Sequence, residues 1–83
     1  MNHPEILLKL SCPDRVGLLA EVTGFCAARS LNLLEAHQFT DEEAGWFFTL
    51  LRLQPVGDFA KMESLRAALA GFADQLGAEW TLR

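Results

Sequence analysis

The sequence predicts a single α+β domain over residues 1–83, with the element order βαββαβ. Apolar side chains alternate at every second position near both ends of the chain, which is typical of strands with one face in a core. Two longer stretches repeat apolar residues every three or four positions, which is typical of amphipathic helices. A chain of 83 residues has a marginal core, so it gains stability from a partner.

The first half of the chain is predicted to be a strand, a helix and a second strand. The strand runs from Glu5 to Ser11, and the helix runs from Val16 to Ser30 after the break SCPDRVGL. The second strand runs from Asn32 to Thr40, where DEEAG supplies the acidic residues and glycine of a tight reversal. The apolar stripe of the helix comprises Leu18, Leu19, Val22, Phe25 and Cys26.

The second half of the chain repeats this order. The third strand, WFFTLLRL, is ended by QPVGD, and Gly77 ends the second helix before a short strand, AEWTLR. Right-handed crossovers place both helices on one face of a four-stranded antiparallel sheet, the ferredoxin-like arrangement. The second helix is marked by Phe59, Met62, Leu65, Leu69, Phe72 and Leu76.

The face of this sheet that carries no helix is predicted to associate with another chain. The third strand is apolar on both sides, with Trp46, Phe48 and Leu50 on one and Phe47, Leu51 and Leu53 on the other. An antiparallel strand with one solvated face is normally polar on that face. We therefore expect Trp46, Phe48 and Leu50 to form an interface in a homodimer or higher homo-oligomer. A central strand that is apolar on both faces without any partner remains the alternative.

Composition excludes several classes of partner. The net charge of -4 and the scattered Lys and Arg residues argue against nucleic-acid binding. No apolar run reaches the roughly 18 residues of a membrane span, and MNHPEI lacks the pattern of a signal peptide, so we expect a cytoplasmic protein without membrane contact. The two cysteines form no CxxC motif, which predicts free thiols, no metal and no cofactor.

Three kinds of chemistry known on this fold lack the residues that they require. A metal carrier needs two thiols in the loop after the first strand, where only Cys12 stands, and Cys26 lies on the helix. An RNA binder needs aromatic residues on both central strands and a basic surface, but the first strand has no aromatic residue and the chain is acidic. A hydrolase needs a positioned base; His37 and Glu35 share a strand face, which a solvated surface explains equally well. We therefore expect no catalysis from these residues.

The break SCPDRVGL suits a ligand that carries both a carboxylate and an ammonium group. A helix start presents free N–H groups and partial positive charge to a carboxylate, and Gly17 lets a ligand approach the backbone. Asp14 either caps the helix or meets an ammonium group. Cys12 lies beside the same helix end, where some thiolate character and a buried core role are both open. On spacing alone, a simple turn and an α-amino-acid site are equally supported.

The segment CPDRVGLLAEVTGF, followed by NLLEAHQFTDEEAGWFF, resembles an ACT domain over essentially the whole chain. More narrowly, NLLEAHQFTD and GWFF are similar to the N-terminal ACT domains of the formyltetrahydrofolate deformylase family. The resemblance implies regulation by small molecules, usually amino acids, bound between ACT domains that pair through strands or helices. The implied effector-binding residues are Asp14, Arg15, Val16, Gly17, Leu18 and, from a neighbouring domain, Asn32.

The deformylase resemblance also implies a parent activity that these residues do not carry. In that family the ACT domain precedes a catalytic domain that hydrolyses 10-formyltetrahydrofolate to formate and tetrahydrofolate, in one-carbon and purine metabolism. Val16 departs from the family pattern, since many ACT domains have proline there, which would preset the first helical turn. Trp46 likewise replaces a usual arginine. The alternative is a stand-alone ACT protein that acts as a small-molecule sensor or an assembly module.

Overall fold

The predicted element order is confirmed by a computed structural model, which describes residues 5–56 and 62–83. Its elements are β1 (Ile6–Pro13), α1 (Leu18–Ala28), β2 (Leu31–Asp41), β3 (Trp46–Pro55), α2 (Met62–Leu76) and β4 (Glu79–Leu82). Phe59, which was predicted to begin the second apolar stripe, lies outside the described residues. Neither helix in the described ranges is long and apolar enough to cross a membrane.

The four strands form one antiparallel sheet of order β2-β3-β1-β4. β1 pairs with β3 from Ile6↔Leu53 to Pro13↔Trp46, and its other edge pairs with β4. β2 pairs with β3 alone among the described strands, so its outer edge is free there. The register shifts between Leu33 and Glu35, where β2 carries an irregularity of the β-bulge kind.

The core lies between the sheet and the two helices. Alternate residues of β1 are buried, as the period-two pattern predicts, and they meet the apolar stripe of α1. Phe25 of α1 stacks on Phe72 of α2 with 4.5 Å between ring centroids, which joins the helices over the sheet. The buried core comprises Ile6, Leu8, Leu10, Cys12, Leu18, Val22, Phe25, Cys26, Phe47, Leu51, Leu53, Leu69 and Leu82.

Several element ends differ from the prediction. β1 extends through Pro13 rather than ending at Ser11, and α1 ends at Ala28 rather than at Ser30. α1 begins at Leu18 rather than at Val16, because Gly17 takes a left-handed conformation (φ 86°, ψ 4°) that a continuing helix excludes. β3 continues through Pro55, which pairs with Leu31, whereas the sequence suggested that QPVGD ends the strand earlier. Proline is tolerated there because a strand end requires fewer ladder hydrogen bonds than a strand interior. Gly77 ends α2 as predicted, with φ 65°.

Candidate functional site

The loop between β1 and α1 is fixed to the rest of the fold at its first residue. The backbone N–H of Asp14 donates to the carbonyl of Gly45, in the β2–β3 turn, at 2.9 Å. Pro13 pairs with Trp46 just before it, so the loop stands on the end of two central strands. The next residues are exposed, and the Val16 side chain is 97% exposed. The loop is therefore hydrogen-bonded to the β2–β3 turn at its first residue and exposed to solvent at its tip.

The start of α1 is open, and Asp14 does not cap it. Gly17 is the N-cap residue, and no side chain accepts a hydrogen bond from the first turn. The first intrahelical bond runs from the Glu21 N–H to the Gly17 carbonyl at 3.0 Å. A Cβ atom at Gly17 would have no heavy atom within 4 Å. The capping role suggested for Asp14 is thus wrong, because the αL residue Gly17 occupies the cap position. Its role as an ammonium partner stays a prediction.

Two other loop residues are committed to contacts within the chain. The Arg15 guanidinium pairs with the Glu21 carboxylate, which raises the pKa of Arg15 and lowers the pKa of Glu21 through the same hydrogen bond. Leu18 is buried in the core, so its side chain cannot face a ligand in the loop. The other predicted effector residues on this loop are exposed to solvent, and they are Asp14, Val16 and Gly17.

The two thiols belong to the core. Cys12 is fully buried, and burial raises its pKa despite the opposing charge of Arg15, so the thiolate suggested as one option does not form near neutral pH. Burial raises the pKa of Cys26 to about 11. Both are free thiols, as predicted. The described residues contain no group of three His, Cys, Asp or Glu side chains that could hold a metal ion.

Asn32 lies at the opposite end of the sheet from the loop. It pairs with Gln54 near the last residues of β3, whereas the loop follows Pro13, which pairs with Trp46 at the first residue of β3. Eight residues of extended strand separate Gln54 from Trp46, which corresponds to about 27 Å. Asn32 and the loop of one copy therefore cannot contact the same amino acid.

The helix-free face of the sheet carries several exposed apolar side chains, which we call the apolar patch. We call the outward side of β1–β4 the open face, and its apolar side chains are Leu7, Phe39, Phe48 and Leu50. Phe39 and Phe48 pair across β2 and β3 with ring centroids 6.2 Å apart. A shallow groove of about 490 Å³ runs over Phe39, Phe48 and Leu50. Trp46 is half-buried at the end of β3 that adjoins the β1–α1 loop.

An ion cluster borders the apolar patch on the open face. Arg52 donates to Glu35 through Nε and to Glu5 through Nη1, at 3.1 Å in each case. His37 Nε2 lies 2.7 Å from Glu35 Oε2. Hydrogen bonds from His37 and Arg52 hold the pKa of Glu35 below its usual range. The pairing of His37 and Glu35 that the sequence left open is present, but it is exposed and shared with Arg52, which suits a surface ion cluster better than a catalytic base.

Sequence reasoning missed two contacts that shape these regions. The bond from Asp14 to Gly45 joins residues that are far apart in sequence, so no local pattern announces it. Arg52 was not singled out, although its place opposite Glu35 follows once the register of β2 on β3 is known. In both cases the signal is the strand register, which residue periodicity alone does not determine.

Known proteins with similar sequences identify relatives of this chain. The ACT domain family profile matches residues 6–71. Formyltetrahydrofolate deformylase of Bacillus subtilis is 36% identical over 82 residues, which is 98% of this chain and 27% of that protein. The enzyme of the same name from Haemophilus influenzae is 36% identical over 70 residues, 83% of this chain and 25% of that protein. The chain thus spans about a quarter of the length of these relatives.

Solved structures show the same arrangement of strands and helices. A formyltetrahydrofolate deformylase from Pseudomonas putida superposes with a TM-score of 0.87 and 26% identity, over 95% of this chain and 28% of that one. An ACT domain protein from Streptococcus pneumoniae has a TM-score of 0.82 at 20% identity, over 99% of this chain and 90% of that one, and supports the fold alone. The match over most of its residues, together with this fold, shows that the chain belongs to the ACT domain family.

Proposed function

We propose that the chain is a regulatory ACT domain that binds a free amino acid and acts as a pair of copies. The observation that carries the proposal is the uncapped start of α1. Gly17 leaves the first-turn N–H groups open, and the loop is held in place by the bond from Asp14 to Gly45. Such a helix start attracts a carboxylate through its N–H groups and its partial positive charge.

The loop offers a separate group for the ammonium end of the ligand. Asp14 is exposed and is not used as a helix cap, so its carboxylate is available to an α-ammonium group. Arg15 pairs with Glu21 in the first turn of α1, so we assign Arg15 the role of stabilising the loop. The Val16 side chain forms part of the solvent-facing tip. No cofactor is required for this kind of binding.

Pairing of two copies along β2 would complete the site. β2 is an edge strand of 11 residues in the described sheet, and a two-fold axis at that edge would align two β2 strands antiparallel. The start of one β2 then lies beside the end of the other. Asn32 of the second copy would thereby be brought to the end of the sheet where the first copy holds Gly17. Asn32 and the loop of a single copy are separated by about 27 Å, or about eight residues of strand, and this pairing of two copies would bridge that separation.

The relatives suggest where such a domain operates. Their name describes a formyltetrahydrofolate deformylase, and this chain corresponds to about a quarter of each. We propose that the chain is the regulatory unit of such a cytoplasmic enzyme, where amino-acid binding adjusts hydrolysis of 10-formyltetrahydrofolate in one-carbon and purine metabolism. The described residues supply the regulation and not the hydrolysis.

A stand-alone sensor or assembly module is the second candidate. It is favoured by the apolar patch of the open face, which suits association and has no part in the loop site. The Streptococcus pneumoniae ACT domain protein, of which this chain covers 90%, shows the fold in a chain of similar size.

Thermal unfolding in the presence of single amino acids tests the effector site. A ligand that binds only the folded state raises the unfolding midpoint by mass action. We expect one or a few members of a panel including glycine, serine and methionine to raise the midpoint at millimolar concentration. A flat response across the whole panel would contradict the effector site and leave the assembly role.

Two matched glycine variants locate the site. Gly17→Asn keeps a residue that tolerates the αL conformation, while its side chain fills the space in front of the helix start. Gly24→Ala changes the exposed side of α1 and leaves the loop intact. We expect the amino-acid shift to disappear in the first variant and to persist in the second. A shift that survives Gly17→Asn would place the site elsewhere.

A further inference from the structure

The described residues expose an apolar surface that none of the described elements covers. Leu7 is 39% exposed, Phe39 65%, Phe48 42% and Leu50 37%, and all four project from the open face. The register makes three of them neighbours, because Phe39 pairs with Phe48, and Leu50 follows two residues later on the same strand. Leu7 lies on β1 and pairs with Arg52 of β3. Both helices pack on the other face, so no element of the described chain reaches this patch. A solvated antiparallel sheet is normally polar on its water-facing side.

The charges of the open face point to the kind of partner. Its acids are Glu5, Glu35, Asp41 and Glu79, and its bases are Lys9, Arg52 and Arg83, so four negative charges stand against three positive ones. The whole chain carries a net charge of -4, and four acids against three bases leave the open face at -1, so this face is close to neutral. Nucleic acid and acidic lipid would require a basic field, and a strongly basic partner would require an acidic one. A nearly neutral surface that carries exposed apolar side chains and charges of both signs is compatible with its own copy.

The arrangement of those charges is consistent with this conclusion. Arg52 pairs with both Glu5 and Glu35 within each copy, so a second copy brings no unpaired acid from that cluster toward the first. Lys9 stands beside Leu50 in the β1–β3 register, and Glu79 lies two positions along β1 from it, opposite Ser11. Two open faces packed against each other can therefore place opposite charges around a shared apolar centre.

The area of the open face reaches what a specific contact needs. Four strands at about 4.8 Å spacing and about 27 Å of strand length give a face of about 500 Å² per copy. Two such faces bury about 1,000 Å², which is the lower limit for a specific protein interface. Sheets stacked in this way lie about 10 Å apart with their side chains interleaved. The expected complex is therefore specific and of modest affinity.

We propose that the open face is a second interface between copies of this chain, in which two sheets pack face to face around Leu50 and Phe48. This contact is distinct from the β2 edge and does not depend on an effector. If both contacts form, the β2 edge joins copies into pairs and the open face joins pairs into larger assemblies. The half-buried Trp46, predicted as an interface residue, would lie at the margin of the contact.

Sedimentation velocity over a wide concentration range tests the contact. We compare the wild-type chain with Leu50→Glu, which places a charge in the centre of the open face, and with Val56→Glu, whose exposed side chain lies just beyond the end of β3. We expect Leu50→Glu to halve the mass of the largest species, and Val56→Glu to leave it unchanged. A wild-type chain that stays monomeric, or a Leu50→Glu variant of unchanged mass, overturns the proposal.

Cross-linking gives an independent measurement that does not perturb the contact with a charge. Cys12 and Cys26 are buried, so a cysteine introduced at position 50 is the exposed thiol of the described chain. We expect Leu50→Cys to form a disulfide-linked dimer under mild oxidation, and Val56→Cys to remain unlinked at the same concentration. Equal linking of both variants, or of neither, contradicts a contact centred on Leu50. The amino-acid shift should persist in Leu50→Glu, so failure of this interface and failure of the effector site are separable.

Discussion

Replacing Gly17 with alanine tests the backbone conformation on which the candidate site depends. At φ 86° an alanine incurs a left-handed strain of about 1–2 kcal/mol. The added methyl gains no contact, since no heavy atom lies within 4 Å of it. Alanine also restricts the unfolded chain, which offsets the strain by about 0.4–1 kcal/mol. The net expectation is a loss of about 1 kcal/mol in the free energy of unfolding.

The same substitution at Gly24 should act in the opposite direction. Gly24 lies inside α1, and a methyl there also meets nothing within 4 Å. Alanine in a helix interior is more stable than glycine by about 0.5–1 kcal/mol. The same glycine-to-alanine change should thus lower stability at the N-cap and raise it in the helix interior, a difference of about 2 kcal/mol between the two variants.

Equilibrium unfolding in urea measures this difference, and thermal scans provide a second readout. For a domain of this size, about 1 kcal/mol corresponds to a shift of about 4–8 °C in the unfolding midpoint. We expect Gly17→Ala below the wild type and Gly24→Ala above it. If Gly17→Ala is as stable as Gly24→Ala, position 17 is not left-handed, and the reasoning about the open helix start is refuted.

Three further predictions follow from burial and charge. Leu51→Ala removes a fully buried side chain and should lower the free energy of unfolding by about 2–5 kcal/mol in urea melts, whereas an unchanged midpoint would mean that Leu51 is not in the core. Because burial raises the pKa of Cys26 to about 11 from its ordinary value near 9, stability should fall as pH rises across that interval, and Cys26→Ala should flatten the decline. Because His37 and Arg52 lower the pKa of Glu35, its stabilising effect is present above the pKa of the unfolded chain and is lost as pH falls through the folded value. Glu35→Gln should therefore reduce the acid sensitivity of the unfolding midpoint, and an identical acid profile would show that this cluster contributes nothing.

Local periodicity predicted the elements well where one face of an element is buried. β1 alternates buried and exposed residues from Ile6, as its sequence indicates, and the stripe of α1 that includes Val22 and Phe25 lies on the core. These patterns are informative because burial of a face repeats with the geometry of the element itself. The order of the sheet then follows from short connections and right-handed crossovers.

The candidate site was less predictable because it depends on single backbone conformations and on tertiary contacts. Asp14 precedes a helix and has the side chain of a common cap, yet Gly17 occupies the cap position in an αL conformation. The bond from Asp14 to Gly45 and the bridge that Arg52 forms between Glu5 and Glu35 each link different strands or loops. Only the register of β1, β2 and β3 brings those groups together, and residue periodicity alone does not determine that register.

The central claim, an amino-acid site shared between two copies, is tested most directly by mixing two inactive variants and measuring binding by calorimetry. Gly17→Asn blocks the helix start in the loop and Asn32→Ala removes the side chain supplied by the partner, so neither variant alone should bind the amino acid that stabilises the wild type. In an equimolar mixture, half of the pairs contain one intact site, which predicts recovery of about a quarter of the wild-type binding capacity. A mixture that binds nothing, while the wild type binds, would contradict the shared site.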